Sequence, residues 1–231
     1  MRTALVPIDF SDYSDNALVF AADLARKRGD FKLEIITIIE SLNPQSFSVG
    51  GSWDLDSQES IYMDQLIKAT TKKLEEYKQD SRFADLEIDV HAHLAKPGET
   101  IAKIIVQHKA DAIVMGTLGS SGLDELFIGS NTEKVVRYAD VPVIAVPNGA
   151  KFTNINNVVY ATALTDVDDI VIERLKEGLV MFGAHLHLLW VNTIHNHKNE
   201  EEMKEQLEAF AKKHGLSNYS THIVKGLFTD A

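Results

Sequence analysis

The sequence contains no cysteine. Without thiols, a disulfide framework, a thiolate zinc site and a cysteine nucleophile are all excluded. It also lacks an uninterrupted run of about 18 apolar residues, the length that a membrane-spanning helix needs. The first residues pass directly from an apolar run to acidic residues, which is not the layout of a signal peptide. We therefore expect a cytoplasmic protein with no membrane partner.

Positive charge is scarce. The chain has 23 Lys and Arg against 34 Asp and Glu, a net charge of −11. General nucleic-acid binding needs a basic face that neutralises phosphates, so we expect no nucleic-acid partner. A local pocket for one small anion is compatible with this balance. Of the 231 residues 45% are hydrophobic, which is enough for one large core or two smaller ones.

The common nucleotide-binding signatures are absent. The sequence has no G-x4-G-K-(S/T), which excludes a P-loop protein, and no G-x-G-x-x-G after its first strand, which argues against a dinucleotide-binding domain. It also has no H-x-G-H, so a nucleotidylyltransferase is disfavoured.

Short β-branched runs alternate with helical patterns through the first 150 residues. The order β-α-β-α-β-α-β-α-β predicts an α/β fold with an open, parallel, five-stranded, Rossmann-like sheet that carries helices on both faces. Residues 41–58, rich in small polar residues, are predicted as a loop. The predicted strands span 4–8, 33–40, 86–94, 111–116 and 141–146, and the predicted helices about 11–28, 59–79, 97–110 and 131–139.

The pattern then starts again. NNVVYATALTD (156–166) resembles TALVPIDFSD (3–12), and AHLHLLWVNT (184–193) aligns with FKLEIITIIE (31–40). We therefore predict a tandem repeat, with a first domain over 1–150 and a degenerate, incomplete second copy over 151–231. Its third strand is predicted over 218–226. Either the chain is cut short, or the first copy or a partner chain completes the second sheet.

One loop carries three spaced glycines. GTLGSSGLDELFIGSNTEK (116–134) contains G-x2-G-x9-G-S, formed by Gly116, Gly119, Gly129 and Ser130. Gly116 ends a buried strand, so a ligand could approach its backbone. Ser130 and Glu133 predict a capping box at a helix start, where free N–H groups attract an anion such as a polyphosphate. The alternative is that this segment is an ordinary strand-to-helix loop that binds no ligand. Hydroxyls that could donate to the anion belong to Ser120, Ser121, Ser130 and Thr132.

These residues resemble the universal stress protein family. Its nucleotide-binding subclass carries the same G-x2-G-x9-G-(S/T), and VPIDFSD (6–12), DAIVMG (111–116) and VPVIAVP (141–147) resemble its strands. The resemblance implies an adenine nucleotide alpha hydrolase-like fold and ATP, with or without Mg²⁺, in the first copy. Asp9 would accept from ribose hydroxyls or help with metal. Pro7, Ile8, Ile38 and Met115 would line the adenine, and Gly116, Thr117, Gly119, Gly129, Ser130, Asn131 and Thr132 would bind the phosphates and ribose.

The residues alone leave alternatives open. Ile8, Ile38 and Met115 equally fit plain core packing. In the second copy the position of Asp9 falls near Thr162 or Ala163, so we expect at most one nucleotide site per chain.

The resemblance implies a nucleotide-dependent sensor or regulator in the stress response. The alternatives are a slow ATPase or phosphotransferase, and a nucleotide-free dimerising scaffold. Catalysis would need a positioned base, metal and positive charge. Near the motif stand Asp124, Glu125 and Lys134, without a spacing that ties them to a phosphate, so we predict no catalytic residue. A homodimer or an intrachain pseudo-dimer of the repeats is the expected assembly.

Histidines occur in three H-x-H pairs. On a strand the two members of a pair share a face, so two imidazoles could meet one metal ion. Because no third ligand stands at a recognisable spacing, we predict a structural or surface role and no metal site. The pairs are His91/His93, His185/His187 and His195/His197.

Overall fold

The computed structural model separates the chain into two compact units, Met1–Phe152 and Thr153–Ala231. The structure describes residues 2–40, 55–95, 99–118, 128–153, 155–164, 167–192 and 199–225. Several sequence predictions therefore lie outside the described residues. They are the predicted loop up to residue 54, the first two residues of the predicted helix 97–110, Gly119, Ser120, Ser121, Asp124, Glu125 and the His195/His197 pair.

The first unit is an open, parallel α/β sheet, as the alternating pattern predicts. Within the described residues its five strands lie in the order β3-β2-β1-β4-β5. The elements are β1 (Arg2–Pro7), α1 (Asp12–Arg28), β2 (Phe31–Ile39), α2 (Leu55–Lys78), β3 (Ile88–Leu94), α3 (Ile101–Gln107), β4 (Ala112–Gly116), α4 (Ser130–Tyr138) and β5 (Val143–Val146).

The central strands β1, β2 and β4 are buried on both faces of the sheet, which explains their nearly continuous apolar runs. On one face Val6 packs in a cluster with Leu18 of α1. On the other, Leu5 packs in a cluster with Ile105 of α3 and Val135 of α4. All five side chains are almost fully buried, and each contributes about 1.5–3 kcal/mol of hydrophobic stabilisation. Along the part of the chain that the structure describes, no helix combines the length and apolarity needed to cross a bilayer.

Helix α3 is shorter than the predicted 97–110. It starts after Thr100, whose side chain accepts a hydrogen bond from the Lys103 N–H, and it ends at Gln107. His108 follows with extended backbone, φ −72° and ψ 135°, so the chain has already left the helix there. The apolar periodicity of the sequence continues past the last turn, and for this reason the prediction overran the helix.

The second unit has its own small parallel sheet. Its elements are β6 (Asn157–Ala161), α5 (Asp169–Phe182), β7 (His185–Asn192), α6 (Glu200–Lys213) and β8 (Tyr219–Lys225). Among the described residues the three strands lie in the order β6-β7-β8. Leu186 and Leu188 of β7 pack against Met203 and Leu207 of α6 in a separate core. The sheet repeats the β1-β2-β3 arrangement and fits an incomplete second copy.

Two backbone features recur in both units. Phe10 (φ 62°) and Leu164 (φ 61°) each stand three residues after the first strand of their unit, with left-handed backbone that non-glycine residues seldom adopt. The first helices end at Gly29 (φ 71°) and Gly183 (φ 63°), which cap them in the same left-handed conformation. Aligning the two turns places Ala163 at the position of Asp9, so the second copy has no carboxylate there.

Two glycines, one inside α5 and one that caps its end, should respond oppositely to substitution by alanine. Gly178 lies inside the helix with open space where a methyl group would stand, so Gly178→Ala should raise the free energy of unfolding of the second unit by about 0.5–1 kcal/mol. Gly183→Ala places a Cβ at φ 63° and should lower it by about 1 kcal/mol. Urea unfolding of the full chain, followed by circular dichroism, measures both; the same sign for both variants would contradict the structure of α5.

Candidate functional site

The site lies where the strand order of the first sheet reverses. From β1 the chain proceeds outward to β2 and β3, then returns to place β4 on the other side of β1. β1 pairs with β4 through Ala4↔Ala112 and Leu5↔Ile113. In open α/β sheets ligands bind outside the carboxyl ends of the strands at such a reversal. Here those ends are Pro7 and Gly116.

A cavity of about 220 Å³ opens at this edge. It brings together ten of the residues predicted from the sequence: Pro7, Ile8, Asp9, Ile38, Met115, Gly116, Gly129, Ser130, Asn131 and Thr132. Thr117 is not among the described lining residues, and Gly119 lies outside the described part of the chain.

The apolar wall of the cavity is also the core of the fold. Ile8 and Met115 are 4% and 6% exposed, and each belongs to one of the two hydrophobic clusters beside the sheet. These side chains therefore pack in the hydrophobic core and also line the cavity. Sequence reasoning missed five further lining residues, of which only the Ile101/Ile105 pair had a signal, its i, i+4 spacing on one helix face. The five are Ser14, Ile36, Ile101, Ile105 and Leu118.

Gly116 has no room for a side chain. A Cβ at this position would lie 3.0 Å from the Tyr13 carbonyl oxygen and 3.1 Å from that of Leu118. Both are backbone atoms that cannot turn aside, so any larger residue would force apart the end of β4 and the first turn of α1. Packing alone thus disfavours a side chain at 116, whether or not a ligand approaches its backbone.

Two hydrogen bonds fix the start of α4 against the end of β4. The Thr132 hydroxyl, which is buried, donates to the Gly116 carbonyl oxygen over 2.9 Å. The Gly129 N–H donates to the Thr117 carbonyl oxygen over 2.7 Å. The Thr132 hydroxyl hydrogen is consequently not available to a ligand, contrary to the sequence-based expectation.

The first turn of α4 has no side-chain cap. The capping box predicted for Ser130 and Glu133 is wrong, because Gly129 itself is the N-cap residue and Ser130 is already helical. The opening N–H groups of an α-helix have no partner within the helix. Among the described residues no acceptor is found for those of Ser130, Asn131 and Thr132, so they can serve an external acceptor, and all three residues line the cavity. Together with the helix dipole they make this corner favourable to an anion.

Asp9 is held in place by the residues that start α1. Its Oδ1 accepts from the Ser11 N–H over 3.1 Å and from the Ser11 hydroxyl. The Ser14 hydroxyl accepts from the Asp9 N–H over 3.3 Å and donates to the Ser11 carbonyl over 3.0 Å. The exposed Asp9 carboxylate is thus positioned at the cavity by a short local network.

No Lys or Arg belongs to the described lining of the cavity. Lys134, which stands in the first turns of α4, is exposed and is not a lining residue. The anion donors that the described lining offers are therefore backbone N–H groups and neutral side chains such as those of Ser130 and Asn131.

No histidine belongs to the described lining of this cavity. His91 and His108 each place Nε2 within hydrogen-bond distance of Glu34 Oε1, at 2.9 and 2.8 Å. His185 and His187 lie side by side on β7. Burial lowers the pKa of the His187 imidazole below its ordinary value, and the neighbouring His185 and His222 lower it further. Within the described ranges, no three His, Asp or Glu side chains stand as an assembled metal site.

Comparison with known proteins identifies a family. The model of the universal stress protein family matches residues 1–147. A universal stress protein of Methanocaldococcus jannaschii is 29% identical over 152 residues, which cover 65% of this chain and 84% of the relative. One from Thermus aquaticus is 45% identical over 51 residues, covering 22% of this chain and 37% of the relative.

Solved structures show the same fold. The crystal structure of a universal stress protein from Archaeoglobus fulgidus superposes with a TM-score of 0.60 at 19% identity, covering 98% of this chain and 77% of that one. A putative universal stress protein from Pseudomonas aeruginosa gives 0.55 at 13% identity, covering 98% and 75%. Since the family match extends over almost all of the first unit, including both sides of the cavity, the chain belongs to the universal stress protein family.

Proposed function

We propose that the first unit binds ATP and that the bound nucleotide makes the protein a sensor or regulator in the stress response. The observation that carries the proposal is the meeting, in one cavity, of an apolar wall, the Asp9 carboxylate and the uncapped start of α4. These three features match the three chemical parts of an adenine nucleotide.

Each part has a suitable partner. The flat, weakly polar adenine suits the wall formed by Ile8, Ile38 and Met115. The ribose hydroxyls can donate to the Asp9 carboxylate. The polyphosphate can accept from the first N–H groups of α4, where the helix dipole adds attraction. Mg²⁺ prefers carboxylate, phosphate and water oxygens, so Asp9 and the phosphates are the groups that would hold it.

The chemistry favours retention of ATP over rapid turnover. Efficient phosphoryl transfer needs positive charge at the transferred group and a residue that orients the attacking water. The described lining offers no Lys or Arg, and Asp9 is its one carboxylate. Slow hydrolysis is compatible with such a site, whereas rapid catalysis is not expected. In the second unit Ala163 replaces the carboxylate, so the proposal assigns one nucleotide to each chain.

We also infer a cytoplasmic protein whose working assembly is a homodimer or a pairing of the two repeats within one chain. Light scattering on the purified chain, with and without ATP, distinguishes the two arrangements by mass.

The first experiment identifies the nucleotide. The purified protein is denatured, and any released nucleotide is identified by chromatography and mass spectrometry; nucleotide-free protein is then titrated with magnesium-ATP by calorimetry. We expect one ATP per chain and slow phosphate release. A protein that carries no nucleotide and ignores added ATP would instead support the scaffold alternative.

Gly129→Val should block the anion corner while sparing the fold. The backbone of Gly129, at φ −56° and ψ 141°, is one that valine accepts, but a branched side chain there stands over the opening N–H groups of α4. We expect ATP affinity to fall by about 100-fold or more, since a hydrogen bond to a charged group contributes about 1.5–3 kcal/mol. Calorimetry measures the change. Val136→Ala, an exposed position in the same helix, serves as the control; unchanged affinity in Gly129→Val would remove the phosphate assignment.

Asp9→Ala should weaken ATP binding by about 1–3 kcal/mol, because polar groups at the ribose lose their acceptor. The matched control is Asp12→Ala, an exposed aspartate in the first turn of α1 that does not line the cavity. Titration of both variants with magnesium-ATP distinguishes a role of Asp9 in nucleotide binding from a purely local role at the start of α1. An Asp9→Ala affinity equal to that of Asp12→Ala would remove the ribose assignment and leave Asp9 a local structural role.

A further inference from the structure

Strand β6 is an edge of the second sheet, and within the described residues it pairs with β7 alone. The Thr162 N–H, directly after β6, donates to the Leu189 carbonyl oxygen of β7 over 3.0 Å. Even-numbered residues of β6 therefore direct their backbone groups at β7. Because successive residues of a strand alternate, the N–H and C=O groups of Asn157, Val159 and Ala161 point to the other side, which we call the open edge.

The first unit shows what covers the corresponding edge there. β1, the counterpart of β6, pairs with β2 on one side and with β4 on the other. Helix α1 packs against both β2 and β4. On the flank of α1 that faces β4 and β5, the Asn16 side-chain amide donates to the Pro147 carbonyl oxygen, directly after β5, over 3.2 Å. Ala17 beside it is fully buried.

Helix α5 occupies the place of α1 but leaves the same flank exposed. The matching left-handed turns at Phe10 and Leu164 align Ile170 and Val171 with Asn16 and Ala17. Ile170 and Val171 are 58% and 48% exposed, whereas their counterparts in α1 lie against the rest of the first unit.

A third exposed apolar side chain borders the open edge on the other face of the sheet. Val159, at the centre of β6, is 61% exposed. Its partner in β7 is His187, which alternates with the buried Leu186 and Leu188. Val159, Ile170 and Val171 together with the open edge form what we call the β6 surface.

The β6 surface lacks the devices by which proteins protect an edge strand. Such strands usually carry charged side chains or proline, which discourage pairing with another chain. Residues 155–164, which include β6, contain no Asp, Glu, Lys, Arg or Pro. By contrast β8, at the opposite edge of the same sheet, ends at Lys225.

We propose that the β6 surface is a dimer interface, in which β6 of a second copy of this chain pairs antiparallel with β6 about a two-fold axis at Val159. An interface of this kind uses the same surface on both chains, the commonest arrangement in homo-oligomers. The backbone groups of Val159 meet those of its copy, and Asn157 meets Ala161 of the partner subunit. Each chain carries a net charge of −11, and the neutral segment 155–164 lets two copies approach without placing like charges opposite each other.

Helix α5 enlarges this interface beyond the strands. A two-fold axis that relates two antiparallel edge strands is perpendicular to the sheet, so both copies of α5 lie on the same face of the joined six-stranded sheet. The flanks that carry Ile170 and Val171 then face each other and lose contact with water. A five-residue strand alone is small beside the roughly 800 Å² per partner of a typical stable interface, and the helix flank adds to it. The inference deepens the homodimer inferred above by assigning its surface, and it does not depend on ATP binding by the first unit.

The test is analytical ultracentrifugation of the tag-free full chain in nucleotide-free buffer over a series of protein concentrations. We expect a dimer at micromolar concentration. Val159→Lys should raise the dimer dissociation constant by about 10–100-fold, because two lysines then lie opposite each other and an apolar contact is lost. Val159→Glu should do the same. An equimolar mixture of the two variants should regain the dimer, since a lysine then lies opposite a glutamate.

Two control variants change exposed valines outside the β6 surface. Val224→Lys alters β8, at the opposite edge of the sheet. Val180→Lys alters the flank of α5 opposite Val171, half a turn round the helix. Both should keep the dissociation constant of the unaltered chain, whereas Val171→Lys should raise it.

Three results would overturn the proposal. A chain that stays monomeric at submillimolar concentration has no such interface. A dimer that Val159→Lys leaves intact would retain the homodimer but remove this surface, as would controls that weaken the dimer equally. A mixture of the lysine and glutamate variants that does not reassociate would remove the antiparallel pairing at Val159. Circular dichroism verifies that each variant is folded; should Val159→Lys not fold, the comparison of Val171→Lys with Val180→Lys decides.

Discussion

The close approach of three backbone segments at the end of β4 is the constraint on which the first unit depends. Gly116 packs its bare Cα against the Tyr13 carbonyl of α1, and its own carbonyl accepts from Thr132 of α4. One residue further on, the Thr117 carbonyl accepts from the Gly129 N–H. These contacts hold the starts of two helices against the same edge of the sheet. The cavity lies between those helix starts and the ends of the strands.

A site built in this way takes most of its chemistry from the fold itself. Its apolar wall consists of side chains such as Ile8 and Met115 that the core would bury in any case. Its attraction for anions comes from the N–H groups at the start of α4 and not from a lysine or arginine of the described lining. Asp9 is the exception, since its carboxylate is a specific choice, and the network through Ser11 and Ser14 shows how closely the chain positions it. A mutation at one of these buried positions would therefore affect both the stability of the fold and the shape of the cavity.

The second unit keeps the backbone path of the first and changes the side chains. The left-handed turn at Leu164 and the glycine cap at Gly183 reproduce their counterparts, because chain geometry after a strand and at a helix end is restricted by sterics. Ala163 at the position of Asp9 removes the charged group. On the face of its sheet opposite the buried Leu186 and Leu188, His185 and His187 meet residues of β8. The two copies thus share an architecture while offering different chemistry.

The sequence by itself determined the element order, the parallel sheet and the position of the glycine motif at 116–130, because apolar periodicity and helix-breaking residues act over a few neighbouring positions. It could not determine which donors stay available. The Ser130 capping box did not form, and the Thr132 hydroxyl turned out to be taken by Gly116, since only packing places β4 beside α4. Likewise Ser220 joins the histidines of β7 only through strand pairing. Tertiary structure decided these contacts because strand register and helix position depend on the whole core, which no short stretch of sequence contains.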